Sequence, residues 1–152
     1  MTLKARARVA VIAGSKSDET VINDVTEILK SFNVPHEAKI ISAHRDRAKL
    51  EDYVGKSDVD VFIGIAGLSA HLPGALASLT SKPVIGVPVS IKLGGMDSLL
   101  SIVQMPPRVP VACVGIDNGK NAAFLAIEIL SLGDSKLRKV LERFRVSGSV
   151  NT

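Results

Sequence analysis

Five short apolar runs, each rich in β-branched residues and each followed by a helix-forming stretch, constrain the fold of this chain more than anything else in it. They occupy residues 7–13 (closing on Gly14), EAKIIS at 37–42, DVFIGIAG at 60–67, PVIGVPVS at 83–90 and PVACVGI at 110–116. A strand with one wet face alternates apolar and polar residues, so near-continuous apolar character predicts strands covered on both faces. Between the runs, apolar residues recur at helical spacing. Val21, Ile22, Val25, Ile28, Leu29 and Phe32 do so within 18–32, and Ala48, Leu50, Tyr53 and Val54 within 46–56. Segments 72–80, 97–104 and 119–132 complete the helices. Ser17 or Asp18 suits the cap of the first helix and Asp46 that of the second, while Asn33 to Pro35 stops the first. This alternation predicts an α/β fold: a flavodoxin-like three-layer sandwich around a five-stranded parallel sheet of order 2-1-3-4-5. The length of 152 residues fits one domain, 1–147, with 148–152 a flexible tail.

Composition excludes several classes. Cys113 is the only cysteine, which rules out an intrachain disulfide and suits a reducing cytoplasm. No apolar run approaches the 18 residues of a membrane span. The basic N-terminal residues lead into the first strand without a cleavage pattern. The net charge of +4 is concentrated at the ends: residues 11–133 carry 11 basic and 13 acidic groups. With Phe and Tyr totalling only five, the chain lacks the basic stripe and stacking aromatics of a nucleic-acid binder. His36, His44 and His71 have no metal-ligand spacing and Cys113 stands alone, so a zinc site is not expected. The helix at 119–132 is apolar almost all round apart from Asn121 and Glu128, so it must be covered on every side. Another subunit could supply part of that cover, or the helix could lie deep within one chain.

In a sheet of this order, ligands bind beyond the carboxyl ends of the strands, where the order reverses. The loops there are GSKSD (14–18), SAHR (42–45) and AGLSAHLPG (66–74). Gly14 permits a tight turn, and Ser15 and Ser17 stand at a helix start that favours anions. Asp18 could accept from ribose hydroxyls; equally, Ser17 and Asp18 could only cap the helix. Arg45 offers a fork suited to phosphate, and His44 can give and take a proton within one cycle. Gly67 allows close approach to the backbone, and His71 opens the next helix. The glycine spacing fits neither a Walker A loop nor a dinucleotide fingerprint. Ser15, His44 and Asp18 lack the elbow motif of a serine hydrolase, and the third strand lacks the aspartate of a phospho-receiver.

Taken in order, GSKSD, VPHEAKIISAHR, AHLPG, VIGVPV, DSLLSIVQMP and NAAFLA resemble the catalytic subunits of phosphoribosylaminoimidazole carboxylase. Within that family they are most similar to the N5-carboxyaminoimidazole ribonucleotide mutases of purine biosynthesis, over roughly residues 7–132. The resemblance implies a shift of a carboxyl group from an exocyclic nitrogen to ring carbon C4, with His44 as general acid and base and no cofactor. It implies that Ser15, Ser17, Asp18, Ser42 and Arg45 hold the ribose phosphate, with Ala43 also binding substrate. Gly67, Ser69, Ala70, His71 and Leu72 would enclose CO2 and the imidazole. It also implies a homo-octamer in the cytoplasm, paired functionally with an N5-carboxyaminoimidazole ribonucleotide synthetase. Leu68 and Ser69 depart from the small residues usual in the family, the connection from His44 to Gly67 is shorter, and SIKLGGMDSL (90–99) is altered. The alternatives are direct carboxylation of aminoimidazole ribonucleotide by CO2 at the same site, or a non-catalytic nucleotide-binding module.

Overall fold

In the computed structural model, which describes residues 6–150, the apolar runs form strands β1 (Val9–Ala13), β2 (His36–Ile40), β3 (Val61–Gly67), β4 (Val84–Val89) and β5 (Ala112–Cys113). All neighbours pair in parallel, in the expected order β2-β1-β3-β4-β5. Period-two alternation sends Val9, Val11, Val61, Ile63, Ile65, Ile85 and Val87 to one face of the sheet. Ala10, Ile12, Phe62 and Val84 go to the other. Helices α1 (Glu19–Ser31), α5 (Gly119–Ser131) and α6 (Ser135–Ser147) cover the first face. Helices α2 (Arg47–Lys56), α3 (Leu72–Leu79) and α4 (Met96–Val103) cover the second. The three-layer sandwich follows from both faces being apolar. Among the described residues no helix is long and apolar enough to cross a membrane.

The structure corrects three expectations, on β2, β5 and the helix count. β2 is not covered on both faces: it pairs only with β1, and Ala38, Lys39 and Ile40 are exposed at the sheet edge. β5 shrinks to two residues, because Pro110 has no N–H to donate and the chain turns away after Val114 bonds Gly86. Much of the cover of α5 comes from α1, α6 and the sheet within the same chain, which leaves Phe124, Leu125 and Ile129 partly buried. That cover depends on α6, a helix beyond the five expected. Asp134 caps it by accepting from the Leu137 amide (3.0 Å), and Leu137, Val140, Leu141 and Phe144 turn inward. Phe144 stacks on Phe124 at 5.4 Å, and both meet Phe32 edge-on. Of the expected tail, Gly148 ends α6 in the left-handed region (φ 70) and Val150 packs against the core. Residues 151 and 152 lie outside the described residues, as does Lys4 of the basic lead-in.

Two glycines place α3. Gly64 and Gly86 are paired in register on β3 and β4. A Cβ on Gly64 would stand 3.2 Å from the Cα of Pro73, and one on Gly86 would stand 3.3 Å from its Cβ. Two strand residues without side chains therefore let the start of α3 settle close to the sheet, which fixes where His71 sits.

Candidate active site

The three polar loops converge on one cavity of about 500 Å³ at the carboxyl ends of β1, β2 and β3. A cavity of this size suits a small-molecule ligand. Of the residues singled out from the sequence, Ser15, Ser17, Asp18, Ser42, Ala43, His44, Arg45, Gly67, Ser69, His71 and Leu72 line it. Ala70 does not: it is buried in the apolar cluster beneath, because its loop turns inward through a bond from its amide to the Leu68 carbonyl. Gly14, Ala66, Leu68 and Ile91 also line the cavity. Ile91 comes from the loop after β4. The sheet order contained the signal for it, since β4 borders β3 and its loop must border the same crevice.

On the β1 side, Ser15 rather than Ser17 or Asp18 caps the helical turn, accepting from the Ser17 amide at 3.3 Å. The Ser17 hydroxyl stands 2.9 Å from Ser15 Oγ and 3.1 Å from Asp18 Oδ1. Asp18 makes no cap bond, although its side chain is only 3% exposed. Burial raises its carboxyl above the ordinary value, and hydrogen bonds from Ser17 and Ser15 only partly offset this. Gly14 does not use its conformational freedom, and a Cβ there would meet open space.

After β2, the SAHR loop is held from within. Ser42 Oγ accepts from the Arg45 amide at 3.2 Å, and the Asp46 amide bonds the Ser42 carbonyl at 2.9 Å. Asp46 occupies the cap position of α2 without bonding the helix amides. Arg45 Nη2 donates to the Gly14 carbonyl at 3.1 Å, tying this loop to the first. An arginine has five N–H donors, so the fork keeps further donors for an anion. His44 is exposed, and its Nε2 lies 2.8 Å from Nδ1 of His71, with the rings edge-to-face at 4.9 Å. One of the two nitrogens must carry the shared hydrogen. The pair can therefore hold one extra proton and stay bonded, whereas two would leave no acceptor.

After β3, Leu68 adopts φ 55, a left-handed conformation that a branched side chain rarely takes. Gly67 before it is tightly constrained: a Cβ there would lie 2.4 Å from Ile91 Cδ1. Its missing side chain thus makes room for Ile91 rather than for a ligand. His71 stands at the start of α3 without a cap bond, turned toward His44 instead.

In chemical terms, one wall offers hydroxyls, a cationic fork and a buried carboxylate, which suit a phosphorylated sugar. Ala66, Leu68, Leu72 and Ile91 add an apolar part to the lining. The histidine pair belongs to the same lining. Among the described residues, no three His, Cys, Asp or Glu side chains gather as a metal-binding group.

Comparison with known proteins gives consistent matches. The AIR carboxylase family model matches residues 8–149. An N5-carboxyaminoimidazole ribonucleotide mutase of Methanocaldococcus jannaschii is 55% identical over 90% of this chain and 87% of its own length. Its counterpart from Saccharolobus solfataricus is 50% identical, over 90% and 89%. Among solved structures, Treponema denticola PurE superposes with a TM-score of 0.83 at 29% identity, covering 94% of this chain and 92% of that one.

Proposed function

The chain belongs to the AIR carboxylase family, and from that premise we propose how its cavity works as the site of a purine-biosynthetic mutase. The enzyme converts N5-carboxyaminoimidazole ribonucleotide into 4-carboxy-5-aminoimidazole ribonucleotide. Ser15, Ser17, Ser42, Ala43 and Arg45 hold the ribose phosphate, and Asp18 accepts from the ribose hydroxyls. Gly67, Ser69, His71 and Leu72 face the imidazole and the carboxyl group, with Ala70 supporting their loop from beneath.

The observation that carries this reading is the His44–His71 pair, bonded at 2.8 Å in the lining of the cavity. In the first half-reaction the N–C bond of the carbamate breaks, its electron pair stays on nitrogen, and His44 supplies the proton. In the second half, C4 donates an electron pair to the carbon of CO2, and His44 takes the proton that C4 releases. The histidine ends as it began, so no outside acid or base is consumed. His71 orients the His44 ring through the shared hydrogen bond and fixes which of its nitrogens carries hydrogen.

The same family reading gives a cytoplasmic homo-octamer supplied by an N5-carboxyaminoimidazole ribonucleotide synthetase. Its support here is that Leu93, Met96, Leu100 and Val103, on and before α4, are exposed apolar residues at helical spacing. The direct test is His44→Asn, which keeps a polar side chain of similar size. Turnover of the carbamate substrate is expected to fall on the order of 10²–10⁴-fold while the nucleotide still binds. Near wild-type turnover would remove His44 from the mechanism. Incubating the wild type with aminoimidazole ribonucleotide and bicarbonate measures direct carboxylation separately.

A further inference from the structure

We propose that Leu68, backed by Ile91, is the apolar cover that retains CO2 between the two half-reactions, an inference that rests on the mutase reading above. Once the N–C bond has broken and before the C–C bond forms, nothing covalent holds the CO2. It is small and neutral, so the cavity walls alone decide whether it is recaptured or lost. Water is excluded best by side chains that offer it no hydrogen bond.

Leu68 is the most unusual residue in the site on backbone grounds. Its φ of 55 suits glycine, yet the position carries a large apolar side chain that lines the cavity and remains 47% exposed. A conformation disfavoured for leucine, kept at the mouth of a reactive cavity, points to a use for the side chain there. Ile91 reaches the same wall from the loop after β4 and is 45% exposed. It passes over Gly67 so closely that a Cβ at that glycine would collide with it. Neither side chain is buried as core residues are. Both line the cavity, so a substrate filling it would cover them.

The experiment is a turnover of the carbamate substrate in 13C-bicarbonate, with the uncatalysed background subtracted. It reads the label in the product carboxyl and the fraction of substrate ending as aminoimidazole ribonucleotide. Leu68→Gly and Leu68→Ala are expected to raise both on the order of tenfold over wild type, as removal of an apolar pocket group does to discrimination. KM should change little, because the residues that hold the ribose phosphate are left intact. Leu68→Met restores the bulk and is expected to return both readings to the wild-type level. No rise in either truncation, a rise with glycine but not alanine, or a rise that methionine does not reverse each overturns the proposal. A wild type inactive on the carbamate substrate would instead overturn the mutase reading, so the two failures are distinguishable.

Discussion

The ligand role proposed for Asp18 would come at the expense of the fold. A carboxylate that is 3% exposed and without a cationic partner among its hydrogen bonds is poorly solvated, and burial raises its carboxyl above the ordinary 3.8. The folded protein therefore holds the Asp18 proton more tightly than the unfolded chain does. The unfolded carboxyl ionises first as pH rises, so Asp18 makes folding progressively less favourable from the ordinary aspartate range up through its folded value. Asp18→Asn keeps the acceptor for Ser17 and removes the charge. It is expected to melt higher than wild type at pH 7, with the advantage disappearing below the ordinary aspartate value, where both side chains are neutral. Thermal melts across that range check the sign. The same variant should raise KM on the order of tenfold, the size of one lost bond to a charged group. A higher melting temperature with unchanged KM would make Asp18 a structural residue only.

At the scale of elements, the packing of α5 on α1 rests on one glycine. A Cβ on Gly119 would stand 2.7 Å from the Val21 carbonyl oxygen and 3.1 Å from Val21 Cγ1 and Val25 Cγ2. The first of these neighbours is backbone and cannot rotate away. Gly119→Ala must therefore push α5 from α1, and it is expected to cost about 1–3 kcal/mol, the range for overpacking. Urea denaturation should show a lower midpoint with an unchanged slope. Such elements were legible to different degrees. The helices at 18–32, 46–56, 72–80, 97–104 and 119–132 agree with α1 to α5 to within a residue or two at each end, because apolar periodicity and stop signals act locally. The strand order was legible because alternation of strand and helix restricts the topology. That order also put β2 at an edge, but the exposure of Ala38, Lys39 and Ile40 was not legible, since nothing local in the run shows how far the flanking helices reach. α6 shows helical spacing in Leu137, Val140, Leu141 and Phe144, but its basic residues read equally well as a solvated tail. Without α6, the cover of α5 could not be assigned. The loops of the site were legible because the strand order brings them together. The contact between His44 and His71 was not, because it depends on how deeply Gly64 and Gly86 let Pro73 settle.

At the scale of the whole molecule, the two ends of the sheet respond to pH with opposite sign. The carboxyl end carries Asp18, whose ionisation opposes folding. Near the amino ends of β1 and β3, Arg8 joins Asp60 and Asp134 with bonds of 2.9 Å each, and Arg6 adds a second bond to Asp60 at 2.8 Å. Burial alone would raise the Asp60 carboxyl, but hydrogen bonds from Arg8 and Arg6 hold it below its ordinary value. The Leu137 amide, with Arg8, does the same for Asp134. These two groups stabilise the fold above the ordinary aspartate value of 3.8, and that contribution is lost as pH falls through their lower folded values. Arg8→Met keeps most of the aliphatic stem while removing the charge that links the entry to β1, the entry to β3 and the cap of α6. It is expected to melt below wild type at pH 7, with the difference narrowing as pH falls below 3.8 and both aspartates protonate. Its turnover should stay near wild type, because the cavity lies at the other end of the sheet. Melting curves between pH 7 and pH 3 test this, and a difference between the proteins that is constant across that range would assign Arg8 a packing role rather than an electrostatic one.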